Sequence, residues 1–423
     1  MKATKIFMMA ALALTFAACS NNDDIDLAQQ PAAQPANGEI TITATLEAND
    51  GASTRALSID GSNIASTWKT TDQFAILYNN GTENTKSTAT VKSINASTVT
   101  ITFTIPATLA NNTTCTIVYP ASAANAANTG ADVATALATQ DGTIGNCPEV
   151  RVGTATIDKD NHNLSSVTKL VAQNAIFKFT LQDLSAGAKS ATEFKVSDGS
   201  GNVMTTVTSG SASGELYVAL PVMTAGTYWF NATIGEKPYI AKATTAADTE
   251  VGKYYQTTVK MATIGDVILS DGKFAAPSST GTKVAMIAYL GNGSDCTNGL
   301  AIQLNASPEA KIWNDAKTYA SGLTAVPGGT WRLPSKADWQ NMFVGCAKSG
   351  DAGAGVTMDP IAGFKEKIGA TGITWLSDCY WSSTGTGLSA WDVGVALDSS
   401  LARAHFYEDV TSYPFYVLGC LAF

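Results

Sequence analysis

Glu39-Ile40-Thr41-Ile42-Thr43-Ala44-Thr45-Leu46-Glu47 alternates apolar and polar residues without a break. Side chains of an extended strand point alternately to its two faces, so this stretch reads as a strand whose one apolar face carries Ile40, Ile42, Ala44 and Leu46. The same period-two pattern recurs at 74–78, 99–103, 116–119, 176–181, 216–220, 228–232 and 254–259, with turns rich in Gly, Asn, Ser and Pro between. From 38 to about 261 no segment carries a 3.6-residue period. Short antiparallel strands at this spacing fit two β-sandwiches, 39–162 and 163–262, joined near the polar run Asp158-Lys159-Asp160-Asn161-His162-Asn163.

The pattern changes after about residue 262. Six of the eight tryptophans (Trp313, Trp331, Trp339, Trp375, Trp381 and Trp391) fall beyond that point. A helical spacing runs through 308–322 and stops at Gly322. Ser335 is placed to cap a second helix, 336–346, with Asp338 in its first turn and Trp339, Met342, Phe343 and Cys346 on one face. A third helix is predicted at 361–368. Strands return at 379–383, 390–397, 403–407 and 415–421, so 263–423 reads as an α+β domain.

Upstream of the first strand, residues 1–18 combine Lys2 and Lys5 with an apolar run and then small residues before Cys19, the form of a secretory signal too short to span a membrane. Thr15-Phe16-Ala17-Ala18-Cys19 resembles a bacterial lipobox, which implies a lipid on Cys19 and a membrane attachment through it. Residues 19–38, rich in Pro, Gln and Ala, read as a tether. Ser20-Asn21-Asn22-Asp23-Asp24 resembles the surface-export signal of Bacteroidetes lipoproteins, so the expected location is the cell surface, as an outer-membrane lipoprotein precursor.

Composition narrows the function. Only 14% of the 423 residues are charged, and the net charge is −9. A chain this acidic has no basic surface with which to release counterions from phosphates, so no nucleic-acid partner is expected. Two histidines, His162 and His405, leave no His-rich metal site. No phosphate loop, zinc motif or Ser/His/Asp spacing occurs, so no cofactor, metal or enzymatic activity is expected.

Thr54-Arg55-Ala56, then Trp68, then Thr71-Asp72-Gln73-Phe74-Ala75-Ile76-Leu77-Tyr78 resemble the start of the fimbrillin-like proteins of Bacteroidales, the subunits of type V pili. Ile117-Val118-Tyr119-Pro120, Tyr217-Val218-Ala219-Leu220-Pro221 and Gly252-Lys253-Tyr254-Tyr255 follow in the family's order. The resemblance covers about half of the chain and implies a pair of transthyretin-like β-sandwiches, with other pilus subunits as partners. It also implies that an Arg-specific protease cuts between Arg55 and Ala56 and removes the first strand. Another subunit's strand would then fill the vacated groove.

Gly328-Gly329-Thr330-Trp331-Arg332-Leu333-Pro334-Ser335, Tyr380-Trp381-Ser382-Ser383-Thr384 and Ala390-Trp391-Asp392-Val393 resemble the C-type-lectin-like domains at the ends of bacterial adhesins. In such a fold Trp331, Trp339 and Trp381 are expected in the core, with Arg332 holding backbone carbonyls or a carboxylate. Loops 385–389 and 408–414, with Trp391, Asp392, Arg403, His405 and Tyr407 nearby, form the candidate surface for a glycan or protein receptor. The Glu-Pro-Asn and Gln-Pro-Asp tripeptides of calcium-dependent lectins are missing from the expected loop.

Cys115 and Cys147 fall in the first sandwich and could pair. Cys296, Cys346, Cys379 and Cys420 fall in the last domain and allow three pairings, free thiols being the alternative. Together these readings predict a mostly β protein, two sandwiches and a lectin-like domain, acting as a pilus tip or tip-proximal adhesin. Its C-terminal segment is taken up in closing its own domain. The alternative is a surface glycan-binding lipoprotein that does not polymerise.

Overall fold

A computed structural model of the chain describes residues 38–47, 58–60, 63–65, 68–95, 98–209, 214–291, 296–351, 359–373, 375, 377–397 and 402–423. The signal segment, Cys19, the tether and the Arg55–Ala56 bond lie outside the described residues. The fold is mostly β, as expected, with four larger sheets and a two-stranded one.

The first eight-stranded sheet begins with Glu39–Glu47 at one edge and passes through Thr98–Pro106, Asn84–Asn95, Gln73–Asn79, Thr113–Tyr119 and Arg151–Asp158. It curls so that its two ends meet: Thr43 N donates to His162 O at 3.0 Å, and Leu170 N to Glu47 O at 2.8 Å. Inside lies a core that includes Ile42, Leu46, Phe74, Ile76, Ile101, Phe103 and Tyr119. Asn163–Ser165 and Val171–Ala172, which the sequence reading assigns to the second sandwich, pair back onto Arg151–Asp158. Past the first unit, the chain enters the second sheet at Ala175.

That second sheet also has eight strands, ordered Glu215–Leu220, Ala175–Asp183, Tyr254–Thr263, Lys237–Thr245, Gly226–Ile234, Glu193–Ser197, Val203–Thr208 and Thr139–Gln140. The last strand comes from the first unit. The middle of the chain also holds a short helix, Val133–Leu137, capped by Asp132, which accepts from Thr135 N. Around this excursion the two sheets share an apolar seam that includes Leu77, Val118, Leu137, Ile176 and Ala219. Gln140 is buried in it; its amide donates to Leu137 O, Thr205 Oγ1 and Ala219 O and accepts from Ala219 N.

The C-terminal unit combines a six-stranded sheet, a four-stranded sheet and three helices, Trp313–Ser321, Lys336–Cys346 and Ala362–Ala370. The six-stranded sheet runs Phe274–Ala275, Val267–Leu269, Lys283–Leu290, Gly299–Gln303, Cys420–Ala422, Thr330–Arg332. Of the strand predicted at 415–421 only its end forms a ladder. Phe415 and Tyr416 make single bridges to Lys311 and Tyr380 instead. One face of the sheet packs on the helices and the four-stranded sheet. The other packs on the second unit through Trp229, Ile240, Ala262, Ile268, Ile287, Trp331, Leu421 and Phe423.

The second predicted helix starts and ends as read. Ser335 Oγ accepts from Asp338 N, and the Asp338 carboxylate accepts from Ser335 N at 2.6 Å and Ser335 Oγ at 2.7 Å. The same carboxylate takes both terminal nitrogens of Arg332, Nη2 at 2.9 Å. Burial alone would raise the Asp338 carboxyl, but these donors hold it below the usual carboxylate range. Trp331, Trp339 and Trp381 are all buried, as expected.

Candidate functional site

Two places carry the functional reading: the seat of the N-terminal strand and the outer face of the four-stranded C-terminal sheet. Glu39–Glu47 is bound along its whole length to Thr98–Pro106, in a register running from Glu39–Pro106 to Glu47–Thr98. Ile40, Ile42, Ala44 and Leu46 share the inward face, and Ile42 and Leu46 are 0% exposed. The outward threonines add side-chain bonds: Thr45 and Thr100 hydroxyls lie 3.3 Å apart, and Thr102 Oγ1 donates to Ile42 O. On its free side, among the described residues, the strand is held at two backbone points, His162 and Leu170, and by an exposed Lys169–Glu47 ion pair.

This strand therefore fills a slot between Thr98–Pro106 and the 162–170 segment. Fully burying one Leu or Ile side chain is worth about 1.5–3 kcal/mol. Ile42, Leu46 and Ala44 together place on the order of 5 kcal/mol at the slot, comparable with the whole stability of a small domain. Without it the apolar wall and one edge of backbone donors and acceptors face water.

The second place is built from three neighbouring strands, Asp378–Thr386, Ser389–Ala396 and Arg403–Val410. Registers Trp381–Asp392–Tyr407 and Cys379–Gly394–His405 put these residues on one face, and Arg403 and Asp409 follow by alternation. Asp392, Arg403, His405 and Tyr407 are thus brought together as read. Trp391 is not: it lies on the opposite face, packed against the core beneath Lys336, whose Nζ stands 3.1 Å from its ring centroid.

Asp392 is 0% exposed, and neither of its oxygens accepts a hydrogen bond of ordinary geometry. Burial pushes its carboxyl up to about 7; the Cys379 thiol beside it pulls it down, and the Asp409 carboxylate adds to the rise. The Cys379 thiol is itself pushed up to about 12, by burial first and then by Asp392, which leaves it protonated and unreactive at neutral pH. The His405 ring sits 4.2 Å from that of Tyr407, and its buried Nδ1 has no hydrogen-bond partner. Tyr407 is half exposed.

Beyond this face, the candidate loops 385–389 and 408–414 carry exposed apolar residues that the sequence reading did not name. Ile312, Leu388, Val410 and Tyr413 are all exposed, Leu388 to 83%. Thr411 links their segments through the backbone: its N donates to Leu388 O, and its O accepts from Trp313 N, next to Ile312. The signal available was three large apolar residues, Leu388 between glycine and serine in 385–389 and Val410 and Tyr413 in 408–414, where connecting segments are ordinarily polar.

The six described cysteines are free thiols. The Cys115–Cys147 pairing that the sequence allows is not formed, because the two sit in different cores, on opposite faces of the first sheet. Among the described residues no three His, Cys, Asp or Glu side chains are grouped to hold a metal ion, and no helix is long and apolar enough to cross a membrane.

No family model and no curated protein matches the chain. Similar solved structures include a fimbrial protein from Bacteroides ovatus, 13% identical over 92% of this chain and 100% of that one, with a TM-score of 0.27. A fimbrial assembly protein from Parabacteroides distasonis is 10% identical over 52% of this chain and 90% of its own, TM-score 0.29. The tip fimbrial protein Mfa3 from Porphyromonas gingivalis, C-terminally truncated, is 12% identical over 53% of this chain and 98% of its own, TM-score 0.25. At these scores the likenesses carry no functional argument; the strand pairing and packing of the chain itself do.

Proposed function

We propose that the chain is a surface pilus adhesin, of the tip or tip-proximal kind. It is made as a lipoprotein on Cys19 and cut between Arg55 and Ala56. The N-terminal strand then leaves, and a strand of the next subunit enters the slot. The observation that supports this best is the nine-residue edge strand, fully paired on one side, lightly held on the other, and supplying the apolar fill of a slot. Such a strand is a removable plug of the kind that β-strand addition replaces.

The last described strand is held within its own sheet. Cys420–Ala422 is hydrogen-bonded on both sides, to Gly299–Gln303 and Thr330–Arg332, and is not spare for a neighbour. The receptor surface is the outer sheet face of Tyr407 and His405 together with the apolar cluster around Thr411; a glycan or a protein fits its exposed aromatic and aliphatic groups.

The test is N-terminal sequencing of the surface form, followed by mixing. The reading expects Ala56 as the new N-terminus, no self-polymerisation of the trimmed protein, and uptake of a donor strand from another subunit. A surface form that still begins at lipidated Cys19 would favour the non-polymerising lipoprotein instead, and a trimmed form that polymerises alone would remove the tip assignment.

A further inference from the structure

A cleft of about 450 Å³ opens at the seam between the second unit and the C-terminal unit, lined by Lys242, Lys260, Lys273, Asp271, Phe274 and Thr227 among others. It lies where Lys237–Thr245 and Tyr254–Thr263, paired only at Tyr239–Thr263 and Ile240–Ala262, part company. Ligand sites favour such seams between packed units. Three ammonium groups against one carboxylate, in a chain of net charge −9, make the cleft a local positive well on an acidic molecule.

The cleft is a built feature. Lys242 Nζ donates to Pro327 O at 2.8 Å and stands 5.5 Å from the Trp229 ring and 6.0 Å from the Phe274 ring. Burial lowers its affinity for a proton, with Asp271 opposing. Two turns close on it with left-handed glycines, Gly272 at φ +79° and Gly328 at φ +81°. A Cβ on Gly328 would come within 2.6 Å of Lys242 Nζ, and one on Gly272 within 2.6 Å of Pro327 O. Among the described residues Lys273 pairs with the exposed Asp271, at 2.7 Å, a bond weak enough to be exchanged for an incoming anion.

The lining selects a class of anion. Among the described residues lining the cleft, the cationic groups are three lysine point charges, which meet an anion without a bidentate fork. Phe274 supplies a partly buried ring, and the Thr227 and Thr244 hydroxyls, 3.2 Å apart, supply a polar pair on the same wall. We propose that this cleft binds an acidic saccharide, its carboxylate met by the three lysines and the apolar face of its sugar ring laid on Phe274. This site is separate from the Tyr407 face and stands whether or not that face binds a receptor.

Calorimetric titration of the full-length protein tests it, with tri-galacturonic acid as probe, maltotriose as its neutral counterpart and a hexaglutamate peptide as a non-sugar anion. Tri-galacturonic acid should bind at least about tenfold more tightly than maltotriose and weaken as salt rises from about 50 to about 200 mM. The exposed pair Lys260→Glu with Lys273→Glu should cost about tenfold or more at unchanged melting temperature. Phe274→Ala should weaken the sugar but not hexaglutamate, and Tyr407→Ala should change nothing. Equal binding of the two saccharides, tighter binding of hexaglutamate than of the sugar acid, binding indifferent to the double substitution, or no binding at all would overturn the proposal.

Discussion

The first described strand and the last play opposite parts. Glu39–Glu47 is long, sits at a sheet edge, and contributes its apolar face to one core. Cys420–Ala422 is short, lies inside its sheet, and is flanked by paired strands on both sides; Leu421 and Phe423 then belong to the core shared with the preceding unit. An edge strand can be lost without dissolving the rest of its sheet, because only one ladder is broken. An interior strand cannot, because its loss splits the sheet and opens the seam between units. The described fold therefore carries a replaceable strand at one sheet edge and a fixed strand inside another sheet.

The comparison can be broken at its strongest point first. Removing residues 420–423 should abolish a cooperatively folded C-terminal unit, whereas removing 39–47 should leave a folded, partly opened first sheet; circular dichroism and limited proteolysis of the two truncations decide it. Single truncations sharpen it: Leu421→Ala and Leu46→Ala should each cost about 2–5 kcal/mol in the precursor. After cleavage and release of the strand, Leu46→Ala should cost nothing, while Leu421→Ala keeps its full effect in denaturant unfolding.

A pH experiment probes the C-terminal unit alone. Asp392 titrates near 7 in the fold, above its unfolded value near 4, so the folded state holds the extra proton between those limits. Stability from this group is complete below about pH 4 and is lost as pH rises through about 7, by up to a few kcal/mol. Asp392→Asn should raise the melting temperature at pH 8, change it little at pH 4, and flatten the slope between. The smallest effect is at the helix cap, where Ser335→Ala should cost about 1 kcal/mol without touching either strand.

Much of this was readable where one face of an element meets water. The alternation in 39–47 gave the strand and its buried face, and Ser335 with Asp338 gave the helix start. Where both faces are covered the period vanishes: Lys283–Leu290 is a nearly continuous apolar run because it packs on the helices on one side and on the second unit on the other. Asn84–Asn95 was missed for the reverse reason. It is Thr, Ser and Lys along most of its length, with only Ala89 fully buried, and it is a strand because neighbours pair with it on both sides.

At the outer face of the four-stranded sheet, alternation already places Trp391 and Asp392 on opposite sides of one strand, so grouping them ignores a rule the sequence supplies. The lysine cleft could not be read at all, since Lys242, Lys260 and Lys273 come together only through the packing of two units.

The most direct test of the plug is amide hydrogen exchange along Thr98–Pro106 before cleavage at Arg55, after cleavage with the freed segment removed, and after addition of a synthetic 39–47 peptide. The account predicts slow exchange of the Thr98–Pro106 amides that donate to the plug strand in the precursor, fast exchange in the emptied form, and recovery with the peptide. Slow exchange that persists once the N-terminal segment is gone would contradict it.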